Sequence, residues 1–200
     1  ADVWSNAENQ VIGDRSFGTD SEKVAEMVTA AVRGFHDSYI RTAVKHFPGH
    51  GNTAEDSHSG FAYNYGTKEE LENGEWKPFA AGIKEQSEFV MVGHICCPNI
   101  ISKEIPASLS KKLVTDVLRN EMEFNGIIIT DAMDMGAVTA HYSCGEAAVQ
   151  AVEAGADMIL MPENFQEAYE AVLQAVTDGR ISEKRLNESV SRILDCKKSR

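Results

Sequence analysis

Residues Gly126 to Ala137 read GIIITDAMDMGA, and the fold turns on how this stretch is read. Ile127, Ile128 and Ile129 form a continuous apolar run that is too short for a helix. It follows a glycine and is β-branched throughout, which fits a parallel strand buried on both faces. Thr130 and Asp131 then fall at the strand's carboxyl end, where α/β enzymes keep their chemistry. An aspartate there can attack, or hold a developing positive charge. The same Asp131 could equally cap a following helix, and Asp134 is a second carboxylate further along; we favour Asp131.

Working outward, three more runs have strand character: Arg41 to Phe47, Phe89 to His94 and Met158 to Met161. Helix-like stretches lie between and around them at Ser21 to Asp37, Lys68 to Gln86, Ser108 to Phe124, Gly145 to Ala154, Asn164 to Asp178 and Ser182 to Lys197. In the third of these, Leu109, Leu113, Val117 and Leu118 recur on one face, with Ser108 as a cap and Asn125-Gly126 as the stop. Leu186, Val190, Ile193 and Leu194 repeat the stripe in the last. Strand and helix alternate, which argues for βα units around a parallel sheet. No repeat, low-complexity tract or linker divides residues 1–200, so they form one domain or part of one.

The second chemical stretch is Lys45 to His58, KHFPGHGNTAEDSH, with three histidines, a lysine and two carboxylates directly after a strand. Pro48-Gly49 ends that strand and leaves Lys45 and His46 at its carboxyl end. Asn52 to His58 is polar and lacks helical periodicity, which places Asp56 and His58 on a loop. An Asp two residues before a His can orient the imidazole and stabilise its charged form. Taken singly, Lys45 and His46 could simply end a strand, and Asp56-Ser57 could be a turn or helix cap. His46, His50 and His58 recur at spacings of four and eight residues, but Pro48 and Gly49 forbid the helix that would align them, so no metal site is expected.

Four segments together resemble glycoside hydrolase family 3, in its bacterial β-N-acetylglucosaminidase (β-hexosaminidase) branch. They are KHFPGHGNTAEDSH, ITDAMDMGAV, VMVGHI at Val90 to Ile95 and VIGDRSFG at Val11 to Gly18. The resemblance implies Asp131 as nucleophile, His58 as general acid/base with Asp56 as its partner, and Arg15, Lys45 and His46 as groups that hydrogen-bond the sugar. His50 would shape the loop, and His94 would be a hydrogen-bonded histidine on the pocket floor. The implied reaction is retaining hydrolysis of terminal N-acetyl-β-glucosaminides, from cell-wall or chitin sugars, with no metal or organic cofactor. A phosphorylase on the same scaffold and a non-catalytic sugar-binding fragment are the alternative functions.

The fold so implied is a TIM-type (β/α)8 barrel, which needs about 250 residues, whereas this chain has 200 and four legible strands. The expectation is a partial barrel lacking its first units, together with an upstream sugar-gripping Asp. Its open edges invite self-association, and its activity should be weak or absent. The net charge of −12 disfavours nucleic acid and anionic membranes, and no apolar run reaches the ~18 residues of a membrane span. Four cysteines without CxxC spacing read as free thiols; they lean toward a reducing, cytoplasmic compartment, although location stays open.

Overall fold

The computed structural model describes residues 1–54 and 60–198. In chain order the main elements are α1 (Ser21–Asp37), β1 (Ala43–Phe47), β2 (Ala62–Tyr63), α2 (Lys68–Asn73), α3 (Lys77–Lys84), β3 (Phe89–Val92) and β4 (Ile95–Cys96). A π-helix at Lys112–Glu121 follows, then β5 (Ile127–Ala132), α4 (Gly136–Thr139), α5 (Cys144–Ala154), β6 (Met158–Leu160), α6 (Phe165–Thr177) and α7 (Glu183–Lys198). Short 3-10 turns occupy Gly13–Arg15 and Ala107–Leu109.

Four strands make one parallel sheet in the order β1-β3-β5-β6. Phe89 lies opposite both Ala43 and Ile127, and Ile129 opposite Met158. Successive strands of this sheet are nearest neighbours, which is the strand order of a barrel and not of a doubly wound sheet with its switch point. The described strands stay open: β1 and β6 are edges. The fold is therefore α/β, a barrel-ordered parallel sheet with helices, as the alternating pattern predicts.

Burial explains why this face pairing is stable. Val44, Val90, Val92 and Ile128 point to one side, where they meet Val24, Val28 and Val32 of α1, Phe79 of α3 and Leu113, Val114, Val117 and Leu118 of the π-helix. The i, i+4, i+8 spacing of the α1 valines is what makes its stripe. On the other side Phe89, Met91 and Ile129 are only half-buried. Among the described residues no helix is long and apolar enough to cross a membrane.

Three local expectations need correcting. The single helix over Lys68 to Gln86 is two helices, because Asn73-Gly74 breaks it and Trp76 and Pro78 restart it. Ser108 does not cap the next helix; it is buried in the 3-10 turn, and the Ser110 hydroxyl accepts from Leu113 N–H at the helix start. Leu109 likewise precedes that helix and packs with Met133, Val138 and Ala147 in a second cluster. A two-stranded parallel sheet, β2 with β4, is additional; strands of two residues leave no periodic pattern to read.

Candidate active site

Every sequence-derived site residue within the described chain comes from a segment at the carboxyl ends of β1 and β5 or from the opening turn. Asp131 sits at the end of β5 with its Oδ1 accepting the Ala132 N–H at 2.8 Å. It does not cap the next helix, since α4 starts beyond Met135 without a side-chain cap. Asp134, the other carboxylate, is exposed to solvent. Across the sheet from β1, His46 turns its Nε2 toward Asp131, 3.9 Å from Oδ2.

His46 is held from behind. Its Nδ1 lies 2.8 Å from Asp2 Oδ2, and that oxygen also accepts the His46 backbone N–H at 3.1 Å. The second oxygen of Asp2 accepts the His50 N–H at 2.7 Å, so one carboxylate spans both ends of the turn after β1. Burial alone would raise the Asp2 carboxyl; the hydrogen bond and charge of His46 and the His50 N–H outweigh it and hold the group below the usual carboxylate range. The turn contains cis peptides at Lys45-His46 and Phe47-Pro48.

The remainder of the loop base is equally built. His50 Nδ1 meets the Thr53 hydroxyl at 2.7 Å, and Asn9 Nδ2 donates to the carbonyls of His50 and Thr53 at 2.7 and 2.9 Å. His50 thus shapes the loop. Gly51 lies so close to the opening segment that a Cβ on it would stand 1.8 Å from the Val3 carbonyl oxygen. Only glycine tolerates that approach.

Arg15 and Lys45 are exposed. The Arg15 guanidinium donates to the Val11 carbonyl at 3.1 Å, and the Ala1 amino group donates to the Lys45 carbonyl at 2.9 Å. Burial first, then the charges of Lys45 and Arg15, lower the proton affinity of that amino group, against the charge of Asp2. Asp56 and His58 lie outside the described residues.

His94 is fully buried. Its Nε2 donates to the Ala132 carbonyl at 2.8 Å and its Nδ1 accepts from the Ser108 hydroxyl at 2.7 Å, which ties the loop after β3 to the end of β5. Burial lowers its proton affinity, so it rests as a neutral floor residue. Asp2, Asn9, Asn64 and Glu75 escaped sequence reasoning, and Ser108 reads there only as a helix cap. Asn64 Nδ2 donates to Glu75 Oε2 at 2.5 Å, and the Glu75 side chain packs directly beneath Gly49. Burial pushes the Glu75 carboxyl up to about 7, against the Asn64 hydrogen bond and with the Asp2 charge adding to the rise. A buried Asp or Glu with a partner tens of residues away leaves no local signature.

The model of the glycosyl hydrolase family 3 N terminal domain matches residues 1–196. A beta-hexosaminidase of Stenotrophomonas maltophilia (strain K279a) is 38% identical over 168 residues, which cover 82% of this chain and 49% of that protein. A solved family 3 beta-N-acetylglucosaminidase from Paenibacillus sp. str. FPU-7 superposes with a TM-score of 0.94 at 43% identity, over 97% of this chain and 38% of that one. A beta-glucoside phosphorylase, BglX, bound to 2FGlc gives a TM-score of 0.91 at 32% identity, over 96% and 36%. The chain spans about half or less of each relative's length. Matched along nearly all of its residues by the family model and by solved members, the chain belongs to glycosyl hydrolase family 3.

Proposed function

We propose that this chain carries the sugar-binding and nucleophilic part of a retaining β-N-acetylglucosaminidase. The observation that supports it best is the pairing of a partly buried Asp131 carboxylate with His46 at strand ends, with Asp56 and His58 following His46 in the same sequence segment. In this reading Asp131 attacks the anomeric carbon of a terminal N-acetyl-β-glucosaminide. His58, oriented by Asp56, delivers a proton to the departing oxygen. The glycosyl ester on Asp131 is then cleaved by water that His58 deprotonates, and the sugar leaves with its configuration retained. Arg15, Lys45 and His46 bind sugar hydroxyls and the acetamido oxygen; Arg and Lys suit that role as donor-only groups.

The test uses the full-length protein with an aryl N-acetyl-β-glucosaminide. We expect hydrolysis with retention, and a loss of several orders of magnitude in turnover in Asp131→Asn with sugar binding largely kept. Near-normal turnover in that variant sinks the assignment. The likeness to a phosphorylase supports a second reading, in which phosphate replaces water at the glycosyl ester. Release of sugar 1-phosphate when phosphate is supplied, with little free sugar in its absence, would favour it.

A further inference from the structure

We propose that Asp2 is a positioning residue that fixes Nδ1 as the protonated ring nitrogen of His46, so that Nε2 alone is left to face Asp131 and the substrate. The value of this for catalysis rests on the sugar-site reading above, but the tautomer itself does not.

The geometry carries it. Asp2 is 5% exposed and its carboxylate accepts from three groups of one turn: the His46 N–H, the His50 N–H and the His46 ring. A carboxylate has no proton to give, so Nδ1 at 2.8 Å must be the donor. Gly93 packs against the base of the side chain: a Cβ built on that glycine would come within 3.2 Å of His46 Cβ. Other groups facing the ring are Asp131 of β5, its Oδ2 3.9 Å from Nε2, and His50, with ring centroids 6.0 Å apart.

The consequence is chemical. In the tautomer with its proton on Nδ1, His46 presents a lone pair at Nε2, an acceptor for a sugar hydroxyl. The opposite tautomer would aim an N–H at Asp131 and draw electron density from the carboxylate that must attack. Asp2 therefore protects the nucleophilicity of Asp131 without touching substrate.

Long-range proton–nitrogen NMR of the 15N-labelled chain at pH 8 reads each ring nitrogen directly and needs no turnover, so it is independent of whether the protein proves to be a hydrolase. In the wild type we expect His46 wholly in the Nδ1–H form and His94 wholly in the Nε2–H form. In Asp2→Ala the His46 proton should shift mostly to Nε2, the ordinary preference of imidazole in water, while His94 keeps its signature and reports that the fold persists. Should His94 lose its signature too, Asp2→Asn carries the same reading. It keeps the volume but has one oxygen for two backbone donors, and the Nδ1–H form should no longer be the sole one. Persistence of His46 as pure Nδ1–H in a variant that retains the His94 signature overturns the proposal.

Discussion

Replacing Glu75 with Gln should stabilise the chain above neutrality, and the size of the effect follows from the structure. Glu75 is 6% exposed, lies beneath Gly49 and accepts from Asn64, with burial raising its carboxyl from 4.5 to about 7. A carboxyl whose proton affinity is higher folded than unfolded contributes fully below pH 4.5. That contribution is lost as pH climbs through about 7. At about 1.4 kcal/mol per tenfold change in proton affinity, the loss amounts to roughly 3 kcal/mol at pH 8. Gln keeps the shape and an acceptor for Asn64 but has nothing to ionise. Urea unfolding of wild type and Glu75→Gln at a series of pH values from 4.5 to 8 measures the difference, and all other titrating groups cancel in it. We expect the variant's advantage to grow by about 3 kcal/mol across that range. A difference that stays constant to about 0.5 kcal/mol, with equal urea slopes, would refute the reasoning.

Three further outcomes are expected. His58→Ala in the full-length enzyme should damage substrates with poor leaving groups far more than activated aryl glycosides, which need little protonation; equal losses in kcat/KM on both would speak against an acid role. Gly51→Ala should cost on the order of 3 kcal/mol in urea unfolding, since a Cβ 1.8 Å from the Val3 oxygen forces the loop base off the opening segment; a cost under about 0.5 kcal/mol would contradict that contact. Asp157→Asn should cost roughly 3 kcal/mol by the same assay, because it strips the partner from Arg119, Arg185 and Arg192. A stable variant would show those guanidiniums to be solvated.

The parallel sheet was legible because a buried parallel strand announces itself as an unbroken apolar run, as in Ile127 to Ile129, and because helices of two turns or more print their stripe in the sequence. Lys45, His46 and Asp131 were legible for a related reason: a proline-glycine break and a Thr-Asp pair end their strands, so the carboxyl ends could be located. Asp2 was not, since its three partners lie 44 to 48 positions away and nothing local distinguishes it from a loop aspartate. The break inside Lys68 to Gln86 was missed because one glycine in a helical pattern is often tolerated, whereas here Gly74 is followed by a residue whose carboxylate is needed under Gly49. Asp56 and His58 rest on sequence alone.

Asp157 stands at the opposite end of the sheet from His46, just before β6, with its side chain fully buried. Its carboxylate takes Arg119 from the π-helix, Arg185, Arg192 and Ser189 from α7, and the Ile128 N–H of β5. Arg119 is held so far from water that its guanidinium falls to about 10, with Asp157 opposing the fall. One residue thus locks the amino ends of the strands to the outer helices, away from Asp131 and His46 at their carboxyl ends. The two ends of the sheet are thus tied down by separate networks, Asp157 with its arginines at one and Asp2 with His46 and His50 at the other. A change in Asp157 therefore strains Arg119, Arg185 and Arg192 together but leaves the contacts of Asp131 and His46 in place.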